Sequence, residues 1–223
     1  MALRLATPPS GTLAPSRDRR LQTARRLDWR FLLPEPQLGR VAYLGPSDDR
    51  LLDALRECSA SVVVARTDGT GRHAGLRDAS FDVAVVQAPR PDALARAAAL
   101  LRHGGSLYCE LARPLPWRRA AVAPRRGARD AGALLPLPQA RACLRELGFG
   151  DVEAHWHYPD FERCGGIVPV GHRTTAGAFF LARAGGRLVA PLLARAGGWL
   201  LGADHVAGLL PCVSLVARKG GAP

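Results

Sequence analysis

Residues 40–49 read RVAYLGPSDD, a short apolar run followed by a glycine, a proline and three polar residues. An apolar run of this length, bounded by turn-forming residues, is typical of a strand that is buried on both faces of a sheet. Residues 48–58 (DDRLLDALREC) then carry leucines at helical spacing. The sequence therefore predicts a strand over residues 40–45, a turn, and a helix that packs back onto the sheet.

The same alternation of apolar strands and amphipathic helices continues along the chain. It is typical of βαβ units, so we predict an α/β fold with a mostly parallel sheet. The further predicted strands are 61–65, 81–87, 106–111, 151–158, 177–184 and 212–218. The further predicted helices are 91–102, 138–147 and 187–201.

Length and composition favour one domain. With 223 residues, 48% of them hydrophobic, the chain can bury one substantial core and is short for two. Residues 1–20 mix Pro, Ser, Gly and Arg without periodicity, so we expect a flexible arm there. A single domain is then expected over residues 21–223, beginning with a short amphipathic helix at 21–33. Residues 113–136 are rich in Pro, Gly and Arg, which is typical of a solvated loop or lid.

The sequence carries no signal for a membrane. No run of about 18 consecutive apolar residues occurs, and the first twenty residues lack the apolar centre of a secretory signal. We therefore expect a soluble, cytoplasmic protein with no membrane contact.

The strong positive charge is the main argument for a nucleic-acid partner. The formal net charge is +12, but Lys219 is the only lysine and the aromatic residues do not interleave with the arginines. This Ala, Gly, Pro and Arg usage is typical of a GC-rich genome, so nucleic acid is not the expected partner. The five cysteines form no CxxC pair, and we predict no metal site.

Four segments together resemble the class I S-adenosylmethionine-dependent methyltransferases. RVAYLGPSDD is similar to the family's first strand and glycine-rich loop, and FDVAVVQAP (81–89) is similar to its fourth strand. LLRHGGSLYCEL (100–111) resembles the helix, paired-glycine turn and strand that follow, and LRELGFGDVEAHWHYPD (144–160) resembles the next helix and strand. The resemblance covers residues 28–218 and implies a Rossmann-like methyltransferase fold with a seven-stranded sheet flanked by helices.

The resemblance also implies a cofactor site for S-adenosylmethionine at the carboxyl ends of the strands, where glycines let the backbone approach a ligand. The residues that it places in contact with the cofactor are Leu44, Gly45, Pro46, Ser47, Asp68 and Gln87.

The cofactor loop departs from the family pattern at several positions. Tyr43 stands where the family often has an acidic side chain, and Ser47 and Asp49 replace two later glycines. After the second strand, Arg66 takes the place of an acidic residue that accepts hydrogen bonds from ribose hydroxyls, and Asp68 is the nearest substitute.

Candidate catalytic residues follow from the chemistry of methyl transfer, which needs alignment and, for some acceptors, a general base. On the predicted strand 151–158, His155 and His157 share one face because strand side chains alternate. Tyr158 ends that strand. Glu110, in an otherwise apolar strand, needs a partner, either a loop arginine such as Arg113 or a substrate.

Three functions remain open at this stage, the third being a reaction that does not use S-adenosylmethionine and that relies on His155, His157 or Glu110. The first is an enzyme that methylates a small-molecule or peptide substrate in a bacterial natural-product pathway, with the segment 161–173 covering the site. The second is a non-catalytic relative that serves as a partner subunit of a pathway enzyme or as a substrate-binding module. The losses in the glycine-rich loop favour the second, and the order of the elements favours the first.

Overall fold

A computed structural model describes residues 17–65, 77–112, 135–170, 210 and 212–220. These residues form a seven-stranded sheet in the order β2-β1-β3-β4-β7-β5-β6. The strands are β1 (Arg40–Leu44), β2 (Ser61–Val64), β3 (Phe81–Gln87), β4 (Leu101–Ala112), β5 (Phe149–Tyr158), β6 (Gly166–Pro169) and β7 (Cys212–Lys219). The helices are α1 (Arg17–Arg26), a short 3-10 helix (Asp28–Leu32), α2 (Arg50–Cys58), α3 (Pro91–Leu100) and α4 (Leu137–Glu146).

The sheet has a parallel half and an antiparallel half. β2, β1, β3 and β4 pair in parallel, whereas β7 pairs antiparallel with both β4 and β5, and β6 pairs antiparallel with β5. The predicted α/β fold with a seven-stranded sheet flanked by helices is confirmed, although the sheet is more mixed than predicted. The connection from β1 to β2 runs through α2 and that from β3 to β4 runs through α3, and parallel strands need such crossovers.

Side chains alternate between two cores on the two faces of the sheet. In β4, Tyr108 faces α2 and the N-terminal segment, whereas Cys109 faces α3 and α4. Trp29 from the 3-10 helix stacks on Tyr108 with ring centroids 3.8 Å apart. Because both faces are covered, the parallel strands read as continuous apolar runs.

Local interactions close the ends of two helices. The N-terminus of α2 is capped by Asp49, whose carboxylate accepts a hydrogen bond from the Leu51 amide at 2.8 Å. At the other end of the sheet, the Lys219 ammonium donates to the Ala98 and Leu101 carbonyls at 2.6 and 2.8 Å. This pairing satisfies carbonyls at the C-terminus of α3, where a cation is favourable.

The N-terminal helix differs from its prediction. A single helix was expected over residues 21–33, but α1 begins at Arg17 and ends at Arg26, and the 3-10 helix follows. Residues 17–20, expected to belong to the arm, are therefore helical. The apolar residues do not share one helix: Leu21 belongs to α1 and is exposed, whereas Leu27 and Trp29 follow α1 and pack in the core.

Two strands also differ. β4 begins five residues before the predicted start, so that the Gly104-Gly105 pair lies inside a strand whose pairing with β3 shifts register. In the segment 161–173, predicted to cover the site, residues 166–169 add the edge strand β6. The expected strand 177–184 and helix 187–201, and all but residues 135–136 of the expected lid, lie outside the described residues. None of the described helices is long and apolar enough to cross a bilayer.

Candidate functional site

The candidate site lies where the chain changes direction across the sheet. β1 is flanked by β2 on one side and by β3 on the other, so the connections leave β1 and β3 in opposite directions. Such a switch point opens a crevice at the carboxyl ends of parallel strands. Leu44 pairs with Val86, which brings the loop after β1 next to Gln87 at the end of β3.

Of the loop residues predicted to bind a cofactor, three remain accessible. Gly45 is half-buried, and Pro46 and Ser47 are exposed. The Leu44 side chain is buried in the core against α3 and α4, so that only its backbone is at the site. Asp68 lies outside the described residues.

Tyr43 fills the space on one side of Gly45. Its ring is completely buried, and its hydroxyl donates a hydrogen bond to Gln87 Oε1 at 3.1 Å. A Cβ atom added to Gly45 would lie only 2.6 Å from that hydroxyl oxygen, so only glycine fits without a shift. Burial, together with the Asp49 and Glu110 carboxylates, raises the pKa of Tyr43, and the phenol is neutral.

Glu110 is the centre of a hydrogen-bond network at this edge of the sheet. Gln87 Nε2 donates to Glu110 Oε2 at 3.1 Å, and the Tyr108 hydroxyl donates to Oε1 at 3.0 Å. The guanidinium of Arg26, the last residue of α1, binds both carboxylate oxygens, with Nη2 2.8 Å from Oε2. Glu110 therefore has the ionic partner that its position required, and that partner is Arg26; Arg113 lies outside the described residues.

Arg26 is enclosed as fully as the carboxylate that it binds. Each of the two side chains is 5% exposed. The guanidinium carbon lies 5.6 Å from the centre of the Phe161 ring, and Nε lies 3.2 Å from Glu162 Oε1. Burial opposes the charged form, but Glu110 outweighs it and raises the pKa of Arg26 further. The arrangement is a cation held between a carboxylate and an aromatic face.

The two predicted histidines are buried on β5. His157 Nε2 lies 2.8 Å from Ser214 Oγ, and the ring lies 4.8 Å from Phe161. Burial, and then the charges of Arg26 and His155, lower the pKa of His157 to about 3, so the ring is neutral at physiological pH. Burial also lowers the pKa of His155, against the effect of Glu153.

The structure brings together only part of the predicted catalytic set. Glu110 and His157 lie on the same face of the sheet, around Arg26 and Phe161. Tyr158 belongs to the opposite face, where its ring meets Trp156 edge-on at 5.3 Å. Sequence reasoning missed Arg26, which lies 84 residues from Glu110. The sequence signal was the Glu110 carboxylate in an apolar strand, which indicated that a partner exists but not which residue it is.

A groove between α1 and α2 borders this site at Arg26. Its volume is about 440 Å³, and Arg26 and Arg50 line it together with four carboxylates. Those carboxylates are Asp18, Asp53, Glu57 and Glu162. An acidic surface stands out in a chain of net charge +12. Within the described ranges, no three His, Cys, Asp or Glu side chains are grouped so that they could hold a metal ion.

Comparison with known proteins gives structural matches only. No family model matches the chain, and no curated protein matches its sequence. An S-adenosylmethionine-dependent methyltransferase from Archaeoglobus fulgidus matches with a TM-score of 0.53 and 14% identity, covering 90% of this chain and 94% of that one. Phosphoethanolamine N-methyltransferase 2 from Haemonchus contortus, solved with phosphomonomethylethanolamine and S-adenosylhomocysteine, matches with a TM-score of 0.50 and 13% identity.

The chain has the S-adenosylmethionine-dependent methyltransferase fold. The match to the Haemonchus enzyme covers 89% of this chain but 52% of that one, so the chain spans about half of that enzyme's length. At 13–14% identity the likeness shows the methyltransferase fold alone. What the site binds must be argued from its own residues.

Proposed function

We propose that the chain is a cytoplasmic methyltransferase that transfers a methyl group from S-adenosylmethionine to a small-molecule or peptide acceptor, in a bacterial natural-product pathway. The observation that carries the proposal is the switch point between β1 and β3, with a glycine loop on one strand and Gln87 at the end of the other. Open α/β sheets bind their ligands at this position.

The accessible loop fits the cofactor on one side only. Pro46 and Ser47 are exposed and Gly45 is half-buried, which supports binding along the outer face of the loop. The inner side is occupied by Tyr43, whose hydroxyl oxygen would lie only 2.6 Å from a Cβ atom added to Gly45. Gln87 already binds both Tyr43 and Glu110, so its amide helps to hold the site in shape. When bound, S-adenosylmethionine supplies an electrophilic methyl group on a sulfonium.

Glu110 is the best of the predicted catalytic residues for contact with an acceptor. Its carboxylate lies beside Gln87 at the switch point, with Tyr108 fixing its orientation. His157, with a pKa lowered to about 3 by burial, is a weak base and is bonded to Ser214. We assign His157 to positioning Phe161 and β7, and Glu110 to orienting the acceptor.

Calorimetric titration with S-adenosylmethionine and S-adenosylhomocysteine tests the proposal. We expect saturable binding of both, weakened at least about 10-fold in Gly45→Ala, because the new Cβ must displace Tyr43. Gly150→Ala is the matched control, since nothing lies within 4 Å of its added Cβ. The absence of heat with either ligand at about millimolar concentration would overturn the proposal.

A second candidate, a non-catalytic partner subunit or substrate-binding module, is favoured by one observation. The polar side chains at the rim are bonded to one another in sequence: Tyr43 to Gln87, Gln87 to Glu110, and Glu110 to Arg26. Polar groups that already bind one another in this way are what loss of catalysis would leave. Co-purification with a pathway enzyme, together with no cofactor binding in the titration, would select this candidate over the first.

A further inference from the structure

Arg26 is the only buried side chain that α1 contributes among those that the structure describes. Leu21, the apolar residue in the middle of the helix, is 49% exposed. Helices in globular proteins ordinarily attach through an apolar face. α1 is instead attached by a guanidinium, so it can leave the sheet while exposing little apolar surface of its own. Segments with so little apolar burial open at low free energy.

The position that Arg26 occupies is built from the body of the domain. Glu110 and Tyr108 come from β4, and Phe161 follows β5. The two carboxylate oxygens take the two ends of the guanidinium, Tyr108 and Gln87 bind the remaining lone pairs, and the Phe161 ring lies 5.6 Å from the cation. A bidentate carboxylate beside an aromatic face recognises a planar cation.

The approach to this position is acidic. The groove of about 440 Å³ between α1 and α2 includes Arg26 in its lining, together with the carboxylates of Asp18, Asp53, Glu57 and Glu162. Two of these carboxylates lie beside arginines, Glu162 beside Arg26 and Arg50 and Asp53 beside Arg56. The lining still holds four carboxylates against two arginines, Arg26 and Arg50, and clefts of one sign concentrate ligands of the other.

We propose that Glu110, Tyr108 and Phe161 form a binding subsite for a guanidinium or ammonium group of the ligand, and that Arg26 occupies it as an internal stand-in until the ligand displaces it. The cation is an anchoring group, distinct from the atom that accepts the methyl group. α1 is thereby an autoinhibitory element, released when a ligand cation takes over Glu110. That this ligand is the methyl acceptor rests on the function proposed above.

Displacement is tested in the wild-type chain with agmatine as the guanidinium probe, putrescine as the ammonium probe and butane-1,4-diol as the neutral control. Amide hydrogen exchange is followed across α1 and, as an internal reference, across α3. We expect agmatine to raise exchange in α1 at least about 10-fold and saturably, with α3 unchanged and the diol without effect. A response to agmatine alone identifies a guanidinium subsite, and a response to both amines identifies a general cation subsite.

Variants open or abolish the subsite. Arg26→Ala removes the internal competitor and should bind agmatine at least about 10-fold more tightly than the wild type, whereas Arg25→Ala, at the exposed neighbouring position, should not. Adding Glu110→Gln to Arg26→Ala should abolish binding. Equal binding by these two variants would overturn the proposal.

If Arg26→Ala does not fold, the wild-type exchange experiment decides. No change in α1 at about 10 mM agmatine and putrescine would overturn the proposal. The exchange experiment contains no cofactor, so its outcome is independent of the calorimetric titration with S-adenosylmethionine. A chain that binds S-adenosylmethionine but no cation refutes the subsite alone, and the reverse result refutes methyl transfer alone.

Discussion

Replacing Arg26 with methionine should destabilise the fold far more than breaking a surface ion pair. The change keeps most of the side-chain volume but leaves the Glu110 carboxylate, 5% exposed, without its cation. Removing one partner of a buried pair costs about 3–5 kcal/mol. Two donors to Glu110 remain, Tyr108 and Gln87, so we expect the lower end, about 3 kcal/mol.

The double variant Arg26→Met/Glu110→Gln separates the charge from the shape. With both charges removed, no uncompensated ion is buried, and the loss should shrink to about 1 kcal/mol or less. Asp78→Asn is the control, because it breaks a partly exposed pair with Arg96 at 2.8 Å that should be worth about 0–1 kcal/mol.

Urea unfolding followed by circular dichroism gives these free energies, and unchanged slopes would show that the denatured state is comparable among the variants. If Arg26→Met loses no more than Asp78→Asn, or if the double variant is less stable than the single one, the buried pair does not hold α1 as described.

Three further outcomes follow from buried or crowded groups. Burial lowers the pKa of His157 to about 3 in the folded chain, whereas the pKa of an unfolded histidine is about 6.5. As the pH falls below about 6.5, only the unfolded chain is protonated at this residue. The free energy of unfolding should therefore drop by up to about 1.4 kcal/mol per pH unit down to about pH 3. Urea unfolding at several pH values should show that the free energy of unfolding depends less steeply on pH in His157→Gln than in His103→Gln. An equal pH dependence in the two variants would contradict this. Gly105→Ala should cost about 1–3 kcal/mol, because its Cβ would meet two backbone carbonyl oxygens at 2.9 and 3.1 Å, whereas Gly150→Ala should stay within about 0.5 kcal/mol by the same assay. Lys219→Met should lower the thermal midpoint by removing two charged hydrogen bonds, together worth about 2 kcal/mol, and an unchanged midpoint would show that the α3 terminus does not depend on them.

The fold could be predicted from the sequence because its signals are local. β3 was predicted at its observed bounds, since a run of seven residues with a continuous apolar centre, between a turn and a predicted helix, is typical of a buried strand. β6 was missed because its four residues, GIVP, carry a glycine and a proline and read as a bend. The N-terminal helix was predicted with the wrong bounds because Leu27 packs in the core at the start of the 3-10 helix and not on the face of α1.

The candidate site could be predicted only in kind. A carboxylate in an apolar strand indicated that Glu110 must have a partner, and the structure contains one. Which residue supplies it depends on tertiary contact across 84 positions, and nothing near Arg26 distinguishes it from the other arginines of α1. The burial of His157 and the position of Tyr43 against Gly45 are likewise properties of packing, which alternation along a strand does not reveal.

The lysine at the end of β7 makes the chain an unusual target for amine chemistry. Lys219 is the single lysine, so acylating reagents can modify only one side-chain amine. Its ammonium is hydrogen-bonded to the carbonyls of Ala98 and Leu101, where α3 passes into β4. The rate of labelling at that position therefore reports how often the last turn of α3 separates from β7, which gives a single-site probe of opening in the native protein.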